Sequence, residues 1–243
     1  MQGMWRELAG LVLPVDCAGC GRPRTELCAR CRRALSGEGR GARRVTPRPG
    51  PAGLPRVWAG APYADEVRAV LLAHKERGAL RLARPLGAAL AGAVRRVQIG
   101  GGPVGERRVG GVAPLLVPVP SARRSVAGRG HDPVRRIALA AAADLRRGGG
   151  GARVLAVLRQ RRTVADQAGL SAPQRLTNMA GALEVPGGAR RLLTGAPVVL
   201  VDDLVTTGAT LAEAARAIAA AGGRVAGAAV VAAPHRAFER NWN

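Results

Sequence analysis

The chain is poor in aromatic residues, in lysine and in acids, and each shortage narrows what it can be. One Phe, one Tyr and three Trp among 243 residues leave little material for stacking a planar ring, so an aromatic platform for a nucleobase is hard to place. Lys75 is the only lysine, and no Gly-x-x-x-x-Gly-Lys-Ser/Thr string occurs, which removes a Walker A site. No Gly-x-Gly-x-x-Gly opens a helix after a strand, which weakens a dinucleotide-binding reading. No run of about eighteen apolar residues is present, so no transmembrane helix is expected. The opening Met1 to Glu7 lacks the charged region, apolar core and cleavage site of a signal peptide, and a cytoplasmic location is expected.

Acids number 16 against 38 basic residues, a formal charge of +22. A coding sequence rich in guanine and cytosine explains why the cations are Arg. It does not explain the shortage of acids, so part of the surplus is expected to meet a polyanion, either phosphate-bearing metabolites or nucleic acid.

Cysteine is confined to one stretch. Cys17-x-x-Cys20, seven residues, then Cys28-x-x-Cys31 gives two thiolate pairs that can meet on one tetrahedral ion, and in a reducing compartment such a cluster points to a metal rather than to disulfides. Four thiolates fill the sphere of a zinc ion, so the metal is expected to be structural, with bound iron or a redox pair as alternatives. Residues 1–38 are expected to form this knuckle, which is too small to fold without its metal. Arg22, Arg24, Arg30, Arg32 and Arg33 surround it and either contact nucleic acid or are solvated.

A stretch rich in Gly, Pro and Arg, residues 39–56, reads as a linker or irregular arm. Residues 57–243 then show regular patterning. Val57 to Tyr63 reads as a strand, Asp65 to His74 and Leu80 to Val97 as helices, Val112 to Val119 as an apolar run, Val134 to Leu145 as a helix and Val154 to Leu158 as a strand. Ser171-Ala172-Pro173-Gln174 has the form of a capping box opening a short helix. Val198 to Val201, Leu211 to Ala221 and Val225 to Ala233 form a strand, helix and strand with Gly222-Gly223 as the helix stop. The fold class expected is α/β, with a mainly parallel sheet and helices on its faces.

In such sheets ligands sit beyond the carboxyl ends of strands. Asp202 and Asp203 stand at that end of the Val198 strand, and two adjacent carboxylates need partners. Ribose hydroxyls with a magnesium ion nearby supply donors and positive charge. The loop Thr206-Thr207-Gly208-Ala209-Thr210 is built of small and hydroxylated residues and runs into a helix, so backbone N–H groups, hydroxyls and the positive helix end converge on a phosphate. Ser121 to Gly130 is a basic, acid-free loop after a strand. Its Ser121, Arg123, Arg124 and Arg129 either face a phosphate-bearing group or belong to a solvent-exposed basic loop. His131 reads as a surface residue more readily than as a general acid or base.

The Val198 to Thr210 segment resembles the phosphoribosyl pyrophosphate signature of type I phosphoribosyltransferases: four apolar residues, two acids and a Thr-Gly-rich loop. The whole chain resembles the ComF family, which pairs that fold with an N-terminal four-cysteine motif. His74-Lys75, Val117 to Pro120, the Arg161, Arg162, Thr163, Gln167 and Leu170 spacing, and Arg175 with Asn178 carry this second match. Arg129-Gly130-His131-Asp132-Pro133 departs from the family's Arg-Gly-Phe-Asn-Gln.

The resemblance implies that Asp202 and Asp203 bind the ribose hydroxyls and that Thr206 to Thr210 bind the 5-phosphate, with Mg2+ accompanying the ligand and Zn2+ in the knuckle. It also implies a role in natural competence, with single-stranded DNA, a helicase and a strand-loading protein as partners. Three functions follow: a phosphoribosyltransferase whose acceptor and catalytic residues no residue identifies, a DNA-uptake accessory, and a sensor that binds phosphoribosyl pyrophosphate without transfer.

Overall fold

The computed structural model describes residues 16–100, 112–121, 123–162, 164 and 169–238. Thr163 and Gln167, singled out in the sequence, lie outside them.

The longest apolar runs become the centre of the sheet. β2 (Val57–Pro62), β3 (Leu115–Pro118), β7 (Val198–Leu204) and β8 (Val225–Ala233) are almost wholly buried, as strands covered on both faces must be. With two short strands, β1 (Arg43–Val45) and β4 (Arg153–Val154), they form one six-stranded sheet in the order β1-β2-β8-β7-β3-β4. Every pairing is parallel except β1 with β2. The fold is α/β with a mainly parallel sheet, as the alternation of strands and helices indicated, and its order agrees with the type I phosphoribosyltransferase-like fold that the resemblance implies.

Side chains alternate across this sheet with period 2. Leu116, Val199, Val201, Ala229 and Val231 face one core, and Val117, Val198, Leu200, Ala228 and Val230 face the other. On the first face lie α2 (Asp65–Glu76), α3 (Ala83–Gln98) and α5 (Pro133–Arg147). α3 and α5 are rich in alanine and pack so closely that a Cβ on Gly87 would stand 2.5 Å from the Cβ of Ala140. Gly87 therefore sets their spacing. The second face is covered by α7 (Ala209–Ala220), α6 (Ala172–Met179) and a small antiparallel pair, β5 (Arg159–Gln160) with β6 (Leu183–Glu184). Glu213 of α7 ties that pair down: its buried carboxylate accepts from Leu183 N at 3.0 Å and from Arg216 at 2.8 Å.

The cysteine segment ends in α1 (Ala29–Leu35) and shares the first core, since Cys17, Leu27, Cys28, Cys31 and Leu35 pack with Trp58 and Val67. Arg30 forms an ion pair with Glu66 at the start of α2.

Three expectations need correction. The arm expected to be irregular carries β1, an edge strand that pairs Arg43 to Val45 with Ala59 to Val57. The strand expected over Val154 to Leu158 keeps only Val154, with Arg153 ahead of it. Leu155 N still donates to Leu116 O at 2.9 Å before the chain turns away into β5. Ser121 to Gly130 contains a helix, α4 (Arg123–Arg129). Alanine and arginine are good helix formers, and Gly130, at φ 70°, ends the segment. Asp132 then caps α5 by accepting from Arg135 N at 3.1 Å, with Pro133 at the first helical position. The capping box at Ser171 and Gln174 forms as the sequence indicates.

Candidate functional site

β7 delivers Asp202 and Asp203 to the carboxyl end of the sheet, one strand away from the end of β3, where Val119, Pro120 and Ser121 follow. Asp202 folds back so that its Oδ1 accepts from Asp203 N at 2.8 Å. Asp203 is 7% exposed and receives the Lys75 ammonium at 2.8 Å between Nζ and Oδ2. Burial and then the neighbouring Asp203 charge push the Asp202 carboxyl well above the ordinary carboxylate range, with Lys75 opposing. Burial works against the Lys75 ammonium as well. The charge and hydrogen bond of Asp203, with Asp202 and Glu76 behind it, outweigh that and hold Lys75 above its usual value. The acids thus have one cation partner, held on Asp203.

After β7 the chain turns through Thr206, Thr207 and Gly208 into α7. Gly208 has φ 82°, a left-handed conformation that disfavours any side chain, and a Cβ there would meet Leu54 Cδ2 at 2.8 Å. α7 has no side-chain N-cap; the nearest substitute, Thr207 Oγ1, accepts from Ala209 N at 3.4 Å. A helix start with its amide donors so weakly engaged, flanked by the half-buried Thr206, Thr207 and Thr210, is suited to an anion. Arg175 of α6 adds a guanidinium: its NH1 donates to Thr206 Oγ1 at 3.0 Å and its Nε to Leu170 O at 3.0 Å.

The remaining residues expected at the site lie on the side of β3. Ser121 Oγ donates to Asp132 Oδ1 at 3.4 Å. Arg123 begins α4 and Arg129 ends it. Arg129 NH1 donates to both carboxylate oxygens of Glu76, at 3.2 and 3.4 Å. His131 is half-buried rather than on the surface; its Nδ1 lies 3.0 Å from Arg129 O and its ring centroid 6.0 Å from that of His74. His74 is fully buried beside Ala79 O, and burial holds its pKa below the ordinary histidine value.

Spacing alone did not place Lys75, Glu76 and Arg175 in the site. The His74-Lys75 pair and Arg175 belong to segments that carry the ComF resemblance, which was the available signal. Their positions depend on where α2 and α6 lie relative to the end of β7, which Lys75 and Arg175 reach by their side chains.

The cysteines form a second, closed site. The four sulfurs lie within 4.8 Å of one another, with Cys20 and Cys28 Sγ at 3.6 Å. Sulfurs around a tetrahedral zinc at about 2.3 Å stand roughly 3.8 Å apart, so the cluster could hold such an ion. Burial raises the Cys17 thiol, but backbone donors from Cys28, Cys20 and Gly19 outweigh it and bring the pKa down to about 6. Burial and its neighbours' sulfurs push Cys31 up. Every cysteine is free of disulfide.

Among the described residues, no helix is long and apolar enough to cross a membrane. No curated protein matches the chain in a sequence search. Residues 139–241, which contain β7, the twin acids, the threonine loop and α7, match the phosphoribosyl transferase domain family, and this region is phosphoribosyltransferase-like.

Proposed function

We propose that the protein binds phosphoribosyl pyrophosphate together with Mg2+. Asp202 and Asp203 accept from the ribose hydroxyls. Thr206, Thr207, Gly208, Ala209 and Thr210 hold the 5-phosphate, and Ser121, Arg123 and Arg129 face the pyrophosphate. The observation that carries this reading is the continuity of β7, the acid pair, the left-handed Gly208 and the α7 start, inside the segment that matches the phosphoribosyl transferase domain family. A charge-assisted contact to the phosphate contributes about 1.5–3 kcal/mol, and several fix its position.

When a nucleophile attacks the anomeric carbon, the bond to pyrophosphate breaks and positive charge spreads over the ribose. Asp202 and Asp203 orient the ring, the loop anchors its far end, and Arg129 stabilises the departing anion. Calorimetric titration with phosphoribosyl pyrophosphate and Mg2+ tests the site. Asp202→Asn with Asp203→Asn should abolish binding, and binding that survives would refute the assignment. A pyrophosphate-release assay over candidate acceptors then separates a transferase from a sensor.

We further propose Zn2+ as the structural occupant of Cys17, Cys20, Cys28 and Cys31. Cysteines that hold a metal instead of forming disulfides fit a cytoplasmic location. A second reading, as a DNA-uptake accessory of ComF type working with a competence helicase and a strand-loading protein, is favoured by one observation: Arg22, Arg24, Arg32 and Arg33 are all exposed around the cysteine cluster. Contact with single-stranded DNA there is electrostatic, so its affinity should fall steeply with salt. A salt-independent affinity, or none, would remove this reading.

A further inference from the structure

The last turn of α2 does more than support the sheet. Its consecutive residues His74, Lys75 and Glu76 each meet a different part of the site. His74 packs near His131, Lys75 holds Asp203, and Glu76 holds Arg129. One short piece of helix therefore gives a cation to the acids and an anion to the arginine expected to face pyrophosphate.

We infer that Lys75 and Glu76 are built-in counter-ions that occupy the positions the ligand's own charges take over. The inference rests on the phosphoribosyl pyrophosphate reading of the site. Glu76 stands in for pyrophosphate on Arg129, and Lys75 stands in for the divalent cation near Asp203.

The two pairs differ in a way that suits these roles. In the Arg129–Glu76 pair the Glu76 side chain is 50% exposed and the Arg129 side chain 17%. An ion pair with one half-solvated partner is weak, so a multiply charged pyrophosphate can take Arg129 from it. Arg129 Nε is also buried without a hydrogen-bond partner. The guanidinium thus keeps donor capacity that Glu76 does not use. In the Lys75–Asp203 pair the Asp203 side chain is only 10% exposed. Two adjacent acids at a strand end would otherwise attract a divalent cation directly, since hard cations favour carboxylate oxygens. With Lys75 beside them the pair already has a positive partner, so the metal enters with the ligand rather than ahead of it.

The test uses the full-length protein and two probes, inorganic pyrophosphate with Mg2+ and Mn2+ alone. In calorimetry, Glu76→Gln should bind pyrophosphate about 2- to 5-fold more tightly than wild type, the release of one exposed ion pair. Arg129→Gln should bind it more weakly, and adding Glu76→Gln to Arg129→Gln should give no further gain. By electron paramagnetic resonance, Lys75→Met should bind Mn2+ alone at least about tenfold more tightly than wild type.

A residue serving only the fold would lower every affinity when changed. Unchanged or weaker pyrophosphate binding by Glu76→Gln, with an unfolding temperature like that of wild type, overturns the inference. So does wild-type protein that takes up Mn2+ as tightly as Lys75→Met. If Glu76→Gln does not fold, Glu76→Asp, which keeps the charge but shortens its reach, should show a smaller gain of the same sign, and a loss overturns the inference. Wild-type protein that binds neither pyrophosphate nor phosphoribosyl pyrophosphate overturns the functional reading itself, and the inference with it. Wild-type binding without the Glu76→Gln gain overturns only the inference.

Discussion

The two halves of the candidate site are built in different ways. Residues 198–210 are continuous in sequence, and their shape is set by backbone: a buried strand, a left-handed glycine and a helix start. The other half is assembled. Lys75 reaches Asp203 across 128 positions of sequence, and Arg129 reaches Glu76 across 53. A continuous half is as stable as its own turn, whereas an assembled half is only as well placed as the helices that carry it.

The largest effect should come from the cysteine cluster, because it packs in the core that holds α2 and is joined to it by Arg30 and Glu66. Cys28→Ser, or removal of metal with a chelator, should lower the unfolding temperature strongly, since structural zinc contributes on the order of 10 kcal/mol. Calorimetry should then show a greater loss of affinity for pyrophosphate than for ribose 5-phosphate. Equal losses would mean that the two halves do not fail separately.

Next comes Glu213→Ala, which strips a buried acceptor from Leu183 N and a charge from Arg216; it should cost about 2–4 kcal/mol in denaturant unfolding. Burial alone would raise the Glu213 pKa, yet donors from Arg216, Leu183 N and Gly181 N bring it below the ordinary glutamate value. A lowered carboxylate contributes stability above its unfolded-state pKa and loses it as pH falls through the lowered value. The wild type should therefore lose this part of its stability only in acid, and Glu213→Gln should flatten that acid limb.

A smaller change, Gly208→Ala, tests the continuous half directly. The φ of 82° and the contact with Leu54 should cost about 1–3 kcal/mol, and ribose 5-phosphate affinity should fall while pyrophosphate affinity holds. Adding Leu54→Ala removes the contact but not the backbone strain, so it should restore only part of the stability. Smallest of all, Ser171→Ala should lower stability by about 1 kcal/mol through the lost cap, read as a shift in denaturant midpoint.

The same contrast explains what could be read from sequence. The buried strands, the capping box, the twin acids with their loop and the paired cysteines are written in contiguous residues, with periods or spacings that local physics enforces. β1 was not, because three residues in a Gly- and Pro-rich stretch become a strand only when β2 offers them a ladder. Nor was α4, where a basic segment without an apolar stripe gives no periodic signal. Lys75 in the site could not be read from spacing, since nothing in residues 71–77 tells which strand end the helix will meet.

β1 has a bearing on how the molecule behaves in company. Without it, β2 would be the margin of the sheet, a buried row of Val57, Trp58, Ala59, Gly60 and Ala61 with one side of its backbone open. Such a margin invites another chain to add itself. Three residues that run the opposite way, two of them arginines, cover that margin, and Val45 is itself bridged by Phe238, so the stretch that looked like slack between two domains closes the side of the sheet.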